Sequence, residues 1–321
     1  MHAARGMLKS LQSFAEFSVS LVTYNDIGLA ACPALNLVVL HGHPNNLAIW
    51  TIPGCGAPGF ALKSIVSGSV FDICDVSSMA FLAAAAVPEP LLLVADIGSD
   101  SIHLIDVVRE AHKGYFARPW SIKKPRTIAV NKASTLVAIS TWCIDPGCEK
   151  GGIAILQVNG TEGEMVRTIG TGFLVMPRGL CFSADGTVIC VMEWAMCHAN
   201  IFDMSDGGLV RTVRFNTNPY GVVEVEGGWL VSLGRRVKFI GDDPGEDFVL
   251  SEVSVGSPRG EYFSSALVTW PGLGFLLRDL FRLQVLATPD TIAMWKNMSC
   301  VRVAWMSAVA RGILIGLAGC T

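Results

Sequence analysis

Charge is scarce in this chain. Only 16% of its 321 residues are Asp, Glu, Lys or Arg, whereas 51% are apolar. This balance excludes a generally disordered chain, because there is enough apolar surface to build a large core. The formal net charge is −3 and no basic run stands out, so a general attraction to nucleic acid or to anionic membranes is not indicated. Binding of either kind would need a local patch.

Long uninterrupted apolar runs are also lacking. The apolar tail over 298–320 contains Arg302 and Arg311, and Glu16 interrupts the apolar stretch near the N-terminus. Charges near a bilayer centre are costly, so we expect no membrane span, and we expect no secretory leader. The ten cysteines are scattered rather than spaced as a disulfide framework, which favours reduced thiols. A cytoplasmic chain, with a nuclear location as the alternative, is expected.

The common sequence signatures of catalysis are missing as well. The chain has no Gly-x-Ser-x-Gly elbow, no His-Glu-x-x-His and no Gly-x-x-x-x-Gly-Lys phosphate loop. A zinc-module array of cysteines and histidines is also absent. An enzyme is therefore not favoured, and neither a cofactor nor a metal ion is predicted.

What is present is a repeat. A proline landmark recurs as Pro125-Arg126-Thr127, Pro177-Arg178-Gly179, Pro219-Tyr220-Gly221 and Pro258-Arg259-Gly260, at spacings of 52, 42 and 39 residues. Short strand-like runs and turns fill the intervals, and six units fit between residues 26 and 287 with a mean length of about 44 residues. The pattern predicts an all-β fold, a six-bladed β-propeller of four-stranded antiparallel blades.

The two ends of the chain have separate expectations. A ring must close to hide its strand edges, and residues 14–21 alternate as a strand does, so we expect them to complete the last blade as its outer strand. Beyond residue 287 the apolar spacing becomes helical, which predicts a short C-terminal helix. The predicted division is a propeller over 1–287 and a helical tail over 288–321.

The order of features within a unit resembles that of the NHL-repeat propellers. It runs Pro-x-Gly, apolar strand, Asp-Gly turn, a second strand such as Leu92–Asp96, polar loop and a third strand, and is clearest over 177–203. The resemblance implies a six-bladed ring. It also implies a binding module for protein or RNA, since few such propellers are enzymes, the peptidyl amidating lyases among them.

The expected site lies on the propeller face where the loops between second and third strands meet the starts of the inner strands. Residues at the same position of different blades converge there on the mouth of the central channel, and guanidinium groups among them suit carboxylate or phosphate groups. Aromatic and Arg residues dominate interface energetics. The candidate partner-binding residues are Arg126, Arg178, Tyr220, Arg259, Trp142, Trp194, Arg235 and Arg236.

Three carboxylates, Asp96, Glu193 and Asp279, each end a second strand. We interpret them as acceptors for the amides of the following loop, which fix its turn. Two alternatives remain open: a metal-dependent propeller hydrolase or lyase that uses such carboxylates, and a zinc site formed by Cys143, Cys148, Cys197 and His198. The favoured hypothesis is a non-enzymatic, monomeric scaffold that binds a partner protein, with RNA as a further alternative.

Overall fold

The structure is a computed structural model, and it describes thirteen separate parts of the chain. These are residues 12–18, 28–42, 46–51, 61–83, 88–117, 122–141, 151–225, 227–233, 236–241, 248–249, 266–270, 274–278 and 282–287. Within these ranges nearly all regular structure is β, and the helices are two three-residue 3-10 turns at Pro33–Leu35 and Gly68–Val70. In the same ranges no helix is long and apolar enough to cross a membrane.

Five blades are built from consecutive strands, each blade in the order in which its strands follow along the chain. Blade 1 contains β2 (Leu29–Cys32), β3 (Leu37–Gly42), β4 (Asn46–Thr51) and β5 (Ala61–Val66). Blade 2 contains β6 (Val76–Leu82), β7 (Leu91–Asp96), β8 (Ser101–Asp106) and β9 (Ala111–Tyr115). Blade 3 contains β10 (Pro125–Val130), β11 (Leu136–Thr141), β12 (Gly151–Asn159) and β13 (Glu162–Leu174).

The remaining blades follow the same plan until the chain ends meet. Blade 4 contains β14 (Pro177–Phe182), β15 (Val188–Glu193), β16 (His198–Asp203) and β17 (Leu209–Arg214). Blade 5 contains β18 (Val222–Val225), β19 (Gly228–Leu233), β20 (Arg236–Gly241) and β21 (Phe248–Val249). A further four-stranded sheet, the closing sheet, has the order β1 (Gln12–Ser18), β24 (Arg282–Ala287), β23 (Gly274–Arg278) and β22 (Ala266–Trp270).

The inner strands form a ring. Strand β2 neighbours β6, β6 neighbours β10, and the sequence continues through β14, β18 and β22 back to β2. Every pairing within a sheet is antiparallel. The predicted all-β propeller of four-stranded antiparallel blades is confirmed. Its predicted count of six is met only when the closing sheet is counted with the five blades of consecutive strands.

The two ends of the chain pair in the closing sheet. Strand β1 lies antiparallel to β24, with Phe17 opposite Leu283 and Gln12 opposite Ala287. The outer strand expected over 14–21 therefore begins and ends a few residues earlier, at Gln12–Ser18. The C-terminal helix and tail predicted over 288–321 lie outside the described residues.

The core lies between neighbouring blades. Leu93 and Ile102 of blade 2 pack in one buried cluster with Ile128 and Ile139 of blade 3, and three further clusters join blades 1 and 2, 3 and 4, and 4 and 5. Because both faces of a blade are covered, strand β7 is buried at every position. Outer strands such as β17 are mostly exposed. The apolar second strands read from the sequence thus become the middle of each blade.

Candidate binding site at the channel mouth

The proline landmarks mark a repeated β-bulge at the start of the inner strands. In blade 3, Pro125 pairs with Thr141 and Thr127 with Ser140, so Arg126 is the extra residue. Arg178 in blade 4 and Ser77 in blade 2 are extra residues in the same way. A bulge redirects its extra side chain, and these three bulges lie at equivalent positions of blades 2, 3 and 4.

Blade 5 repeats the arrangement just before its first strand. The Tyr220 amide donates to the Ser232 carbonyl at 3.0 Å, and the Ser232 amide donates to the Gly221 carbonyl at 2.9 Å. Tyr220 and Gly221 are therefore both opposite Ser232, as two residues are opposite one in the other bulges. Tyr220 takes the position that Arg126 and Arg178 take in blades 3 and 4.

These bulges surround one cavity along the ring axis. Its volume is about 550 Å³, and Ser77, Arg126, Arg178 and Tyr220 are all among the residues that line it. The opposite end of the cavity is lined by one basic and one acidic residue. Lys132 lies there in the turn after β10, and Glu224 lies near the end of β18. The cavity is therefore a channel with two guanidinium groups at one end.

The loop of blade 4 extends this end of the channel. The Arg178 guanidinium carbon lies 5.0 Å from the centre of the Trp194 ring, within cation–π range. Asn218 Nδ2 donates to the Trp194 carbonyl at 2.7 Å, which ties the loop to the segment before Tyr220. Met196 in the same loop is 56% exposed. Aromatic, cationic and thioether groups thus share one surface.

The carboxylates near this face are used within their own blades. Asp96 is fully buried and accepts hydrogen bonds from the amides of Cys74, Asp75 and Gly98 at 2.8–2.9 Å and from the Ser99 hydroxyl at 2.7 Å. Burial raises the pKa of Asp96, but hydrogen bonds from His103, Cys74, Ser99 and Asp75 outweigh it, and the pKa lies well below its ordinary value. Asp96 therefore fixes the following loop, as expected from its position, and also the segment that leads into β6.

Glu193 has a related role with different partners. Its Oε1 accepts from the Val175 amide at 2.6 Å, and its Oε2 accepts from buried Asn200 Nδ2 at 2.7 Å. Thr212 donates to Asn200 Oδ1 at 2.7 Å. The Glu193 carboxylate also contacts the end of its following loop, where His198 Nε2 lies 2.9 Å from Oε2. Beyond the expected role at that loop, it holds the segment before β14 and the interior of its blade. Asp279 lies outside the described residues.

Blade 2 contains a histidine chain, formed by buried His103 and half-buried His112, that the repeat pattern does not reveal. His103 Nε2 lies 3.3 Å from Asp96 Oδ2, and His103 Nδ1 lies 3.2 Å from His112 Nε2. The Tyr115 ring packs against both imidazoles. Burial, followed by the charge of His103, lowers the pKa of His112. His103 occupies the position that Asn200 occupies in blade 4, since each lies two residues beyond the partner of the strand-ending carboxylate.

Serine side chains connect neighbouring inner strands. Ser140 Oγ donates to the Pro177 carbonyl at 3.2 Å and accepts from the Thr127 amide at 3.1 Å. Ser77 Oγ donates to the Pro125 carbonyl at 2.7 Å. The two bonds to proline carbonyls each join one blade to the bulge of the next, so these bulges are held by neighbouring blades as well as by their own.

The structure brings together four of the eight predicted site residues. Arg126, Arg178 and Tyr220 line the channel, and Trp194 stacks on Arg178. Arg236 begins β20 opposite Leu233, and nothing is described of its side chain. The predicted site residues Arg259, Trp142 and Arg235 lie outside the described residues. The use of all eight in partner binding stays a prediction.

Thiol and metal chemistry at the channel has limited support in the described part of the chain. Cys181 lines the cavity, but burial raises the pKa of its thiol to about 12, so it is not a ready nucleophile. Among the described residues no group of three or more His, Cys, Asp or Glu is placed to hold a metal ion. Cys143 and Cys148 of the zinc alternative lie outside those residues.

Comparison with known proteins supports the fold and little else. No family model matches the chain, and no curated protein matches it. By contrast, 1305 chains of solved structures are similar to it, so the fold is widespread and does not by itself decide a function. One is a chain in the crystal structure of a nidogen/laminin complex, with a TM-score of 0.53 and 14% identity over 67% of this chain and 75% of that chain.

Proposed function

We propose that this propeller is a non-enzymatic scaffold that binds a partner protein through its loop-rich face at the channel mouth. The observation that carries the proposal is the stack of Arg178 on Trp194 beside Arg126 and Tyr220, which share the mouth of one channel. Arg, Trp and Tyr are the residues that most often dominate the free energy of protein association. A rigid ring supplies them already positioned, which lowers the entropic cost of binding.

The exposed thioether of Met196 adds to the same surface. It lies two residues beyond Trp194, and its flexible side chain can pack against apolar groups of a partner. The similarity to a propeller solved in a complex named for nidogen and laminin is in line with a protein partner. The finer features that we propose are an NHL-like ring of six blades, a monomeric state and a cytoplasmic or nuclear location.

The test is affinity purification from the native cell with charge-reversed variants. The site variant is Arg126→Glu with Arg178→Glu. The control is Lys132→Glu with Arg167→Glu, which makes the same change of charge at the opposite channel end and on an outer strand, where Arg167 Nη1 contacts the Ser205 carbonyl. Thermal melting establishes first that both variants fold.

The proposal predicts that one or more proteins recovered with the wild type and with the control fall by about tenfold or more with the site variant, as for loss of an interface hot spot. Equal recovery with all three proteins would contradict it. Equal loss with both variants would mean that net charge, not the channel mouth, governs capture.

A further inference from the structure

We propose that blade 4 contains a binding site for the soft metal ion Cu(I) on its side facing blade 5, formed by the thiols of Cys181 and Cys190 with the thioether of Met192. This inference does not depend on the protein partner proposed above. It rests on the register of two strands, on the chemistry of the three sulfur groups and on the position of Cys181 in the channel wall.

The two cysteines are directly opposite one another, Cys181 on β14 and Cys190 on β15. Opposite residues of an antiparallel pair have their side chains on the same face of the sheet. The Ser183 amide donates to the Val188 carbonyl at 3.0 Å, and hydrogen-bonded pairs recur every second residue, so the cysteines are such a pair as well. Their Cα atoms are therefore about 5.5 Å apart, and their Cβ atoms lie near the upper end of a range of about 4.5–5.5 Å.

This spacing suits a bridging ion better than a disulfide. The Cβ atoms of a disulfide lie about 3.5–4.5 Å apart, so a direct bond between these two cysteines would be strained, and both are free thiols. A metal–thiolate bond is roughly 2.3 Å long, so two sulfurs on opposite sides of one ion lie up to about 4.6 Å apart. The wider Cβ spacing of this pair allows that separation with both strands in place.

A thioether adjoins the two thiols. Met192 lies two residues beyond Cys190 on β15 and therefore on the same face. A Cβ at Gly179 would lie 2.8 Å from Met192 Cγ, so the methionine side chain leans toward β14, the strand of Cys181. All three sulfur residues pack in the apolar cluster between blades 4 and 5.

The donor set favours Cu(I) over other common ions. Thiolate and thioether ligands are soft and select Cu(I), whereas magnesium and calcium take oxygen ligands. Structural zinc takes four ligands, and among the described residues no group of three or more His, Cys, Asp or Glu is placed to supply them. Two thiols and a thioether lie outside that definition and match the low coordination number of Cu(I).

Access to the site runs through the channel. Cys181 is half-buried and lines the cavity, whereas Cys190 and Met192 are fully buried behind it. Burial raises the pKa of both thiols, and the neighbouring Cys181 raises that of Cys190 further. The ion must therefore replace both thiol protons, which pass to solvent as the two metal–sulfur bonds form.

Two thiolates and one Cu(I) carry one net negative charge, which nearby groups stabilise. The Glu224 amide donates to Cys181 Sγ at 3.2 Å, and its effect on the pKa of Cys181 outweighs the opposite effect of the Glu224 charge. The charge of Arg211 acts against burial at Cys190 and lowers its pKa. Both effects favour the thiolate forms that a metal ion needs.

The experiment is a competition titration of the full chain under anaerobic conditions. Cu(I) is supplied as its coloured bicinchoninate complex with ascorbate, and loss of colour measures transfer to the protein. We expect Cys181→Ala and Cys190→Ala each to take up one equivalent less than the wild type, or to bind it at least about tenfold more weakly, because one thiolate is lost. The double variant should lose no more than either single one.

Two further variants separate this site from general thiol binding. Cys32→Ala removes a buried free cysteine of blade 1 and should take up as much Cu(I) as the wild type. Met192→Leu keeps the volume and should weaken binding less than either cysteine variant does. Thermal melting establishes first that each variant folds.

A second measurement on the wild type covers the case in which a variant fails to fold. Methyl methanethiosulfonate, a small reagent, modifies accessible thiols, and mass spectrometry locates them. Saturating Cu(I) should slow the modification of Cys181 by about tenfold or more. The inference is overturned if the Cys181 and Cys190 variants take up as much Cu(I) as the wild type, if Cys32→Ala loses as much as they do, or if the ion does not slow the modification of Cys181.

Discussion

At the scale of single residues, Asp96 is a fully buried carboxylate whose hydrogen bonds can be tested by substitution. Its Oδ1 accepts from the Asp75 and Gly98 amides and its Oδ2 from the Cys74 amide and Ser99 hydroxyl, so both oxygens face donors. Asp96→Asn would turn an amide NH2 toward at least one of these N–H groups. We expect a loss of about 3 kcal/mol in the free energy of unfolding, as for an unsatisfied buried charged network, measured by urea denaturation.

Asp185→Asn is the matched control for that variant. Asp185 accepts from the Ser183 hydroxyl, the Thr187 amide and the Thr187 hydroxyl in an exposed turn, and all three bonds use Oδ1. Because an asparagine keeps that oxygen, its effect should be much smaller. A similar loss in both variants would contradict the role assigned to burial and to the second oxygen of Asp96.

A pH dependence follows from the histidine chain of blade 2. The groups that face His112 are His103, Tyr115 and, through its charge, Asp72, whose attraction is outweighed by burial and by His103. The folded pKa of His112 is lowered below its unfolded value, so the unfolded chain binds a proton more readily. His112 therefore contributes stability above its unfolded pKa of about 6.5, and this is lost as the pH falls through the folded pKa.

The measurement is the free energy of unfolding from pH 8 to pH 5 for the wild type and for His112→Gln. As the pH is lowered, we expect the free energy of unfolding to decrease more steeply in the wild type than in the variant. The lowered pKa of Asp96 gives its own loss only at more acidic pH, below an unfolded value of about 3.9, so the two effects separate. Identical pH profiles for the two proteins would show that His112 does not couple protonation to folding.

Sequence reasoning reached some of these residues and not others. Asp96 was predicted to hold the following loop because a strand-ending aspartate before Gly and Ser is a local signal. Its bonds to His103 and to the amides before β6 join residues 7 to 22 positions apart through the fold, and no short pattern encodes them. The same reason explains why the contact of Glu193 with Val175, 18 positions earlier in the chain, was not predicted.

At the scale of the strand, the Pro-x-Gly landmark has a steric origin at Gly179. A Cβ at this position would overlap the backbone carbonyl of Tyr220 in the next blade and crowd the Met192 side chain. The bulge at Arg178 brings the two inner strands this close, which leaves room only for glycine. Gly179 thus sets the distance between two of the candidate binding residues, Arg178 and Tyr220.

Gly179→Ala should lower the free energy of unfolding by about 2 kcal/mol, the usual cost of forcing one extra carbon into a packed site. It should also weaken partner binding, because the start of blade 5 must shift. Gly208→Ala is the control, since a Cβ there meets only the movable Asp206 carboxylate. Chemical denaturation of both variants checks the prediction, and equal stability of Gly179→Ala and the wild type would contradict it.

Strand positions were largely predictable, but their exact ends were not. The second strand of blade 2, expected at Leu92–Asp96, is Leu91–Asp96, and the strand expected over 14–21 is Gln12–Ser18. Alternation and the Asp185-Gly186 turn locate such strands because these signals are local. The bulges could not be placed from sequence, since register depends on the partner strand. The bulges in turn decide that Arg126, Arg178 and Tyr220 face one channel.

At the scale of the whole molecule, ring closure joins the two chain ends. Strand β1 is the outer strand of the closing sheet and pairs with β24, so its loss would expose an edge of β24 to solvent and to other molecules. Deleting residues 1–18 should therefore lower Tm by about 5–10 °C, equivalent to a few kcal/mol, and promote self-association. Deleting residues 1–11 leaves β1 intact and should have little effect.

Differential scanning calorimetry and size-exclusion chromatography test this comparison. If both deletions behave alike, β1 does not contribute to ring stability, and the proposed count of six blades would lose its main support. The ring itself was predictable because its repeat covers most of the chain. The identity of what it binds was not, since propellers of the same plan present different residues at the mouth.

The most direct test of the central claim is site-specific photo-crosslinking in the native cell, with a photoreactive phenylalanine analogue at Met196 or at Val210. These positions are similarly exposed, at 56% and 61%, but Met196 lies on the loop face and Val210 on an outer strand. A protein-binding face at the channel mouth predicts a discrete crosslinked protein from position 196, which is lost when Arg178→Glu is added, and none from position 210. The same products from both positions, or discrete products from position 210 alone, would contradict it.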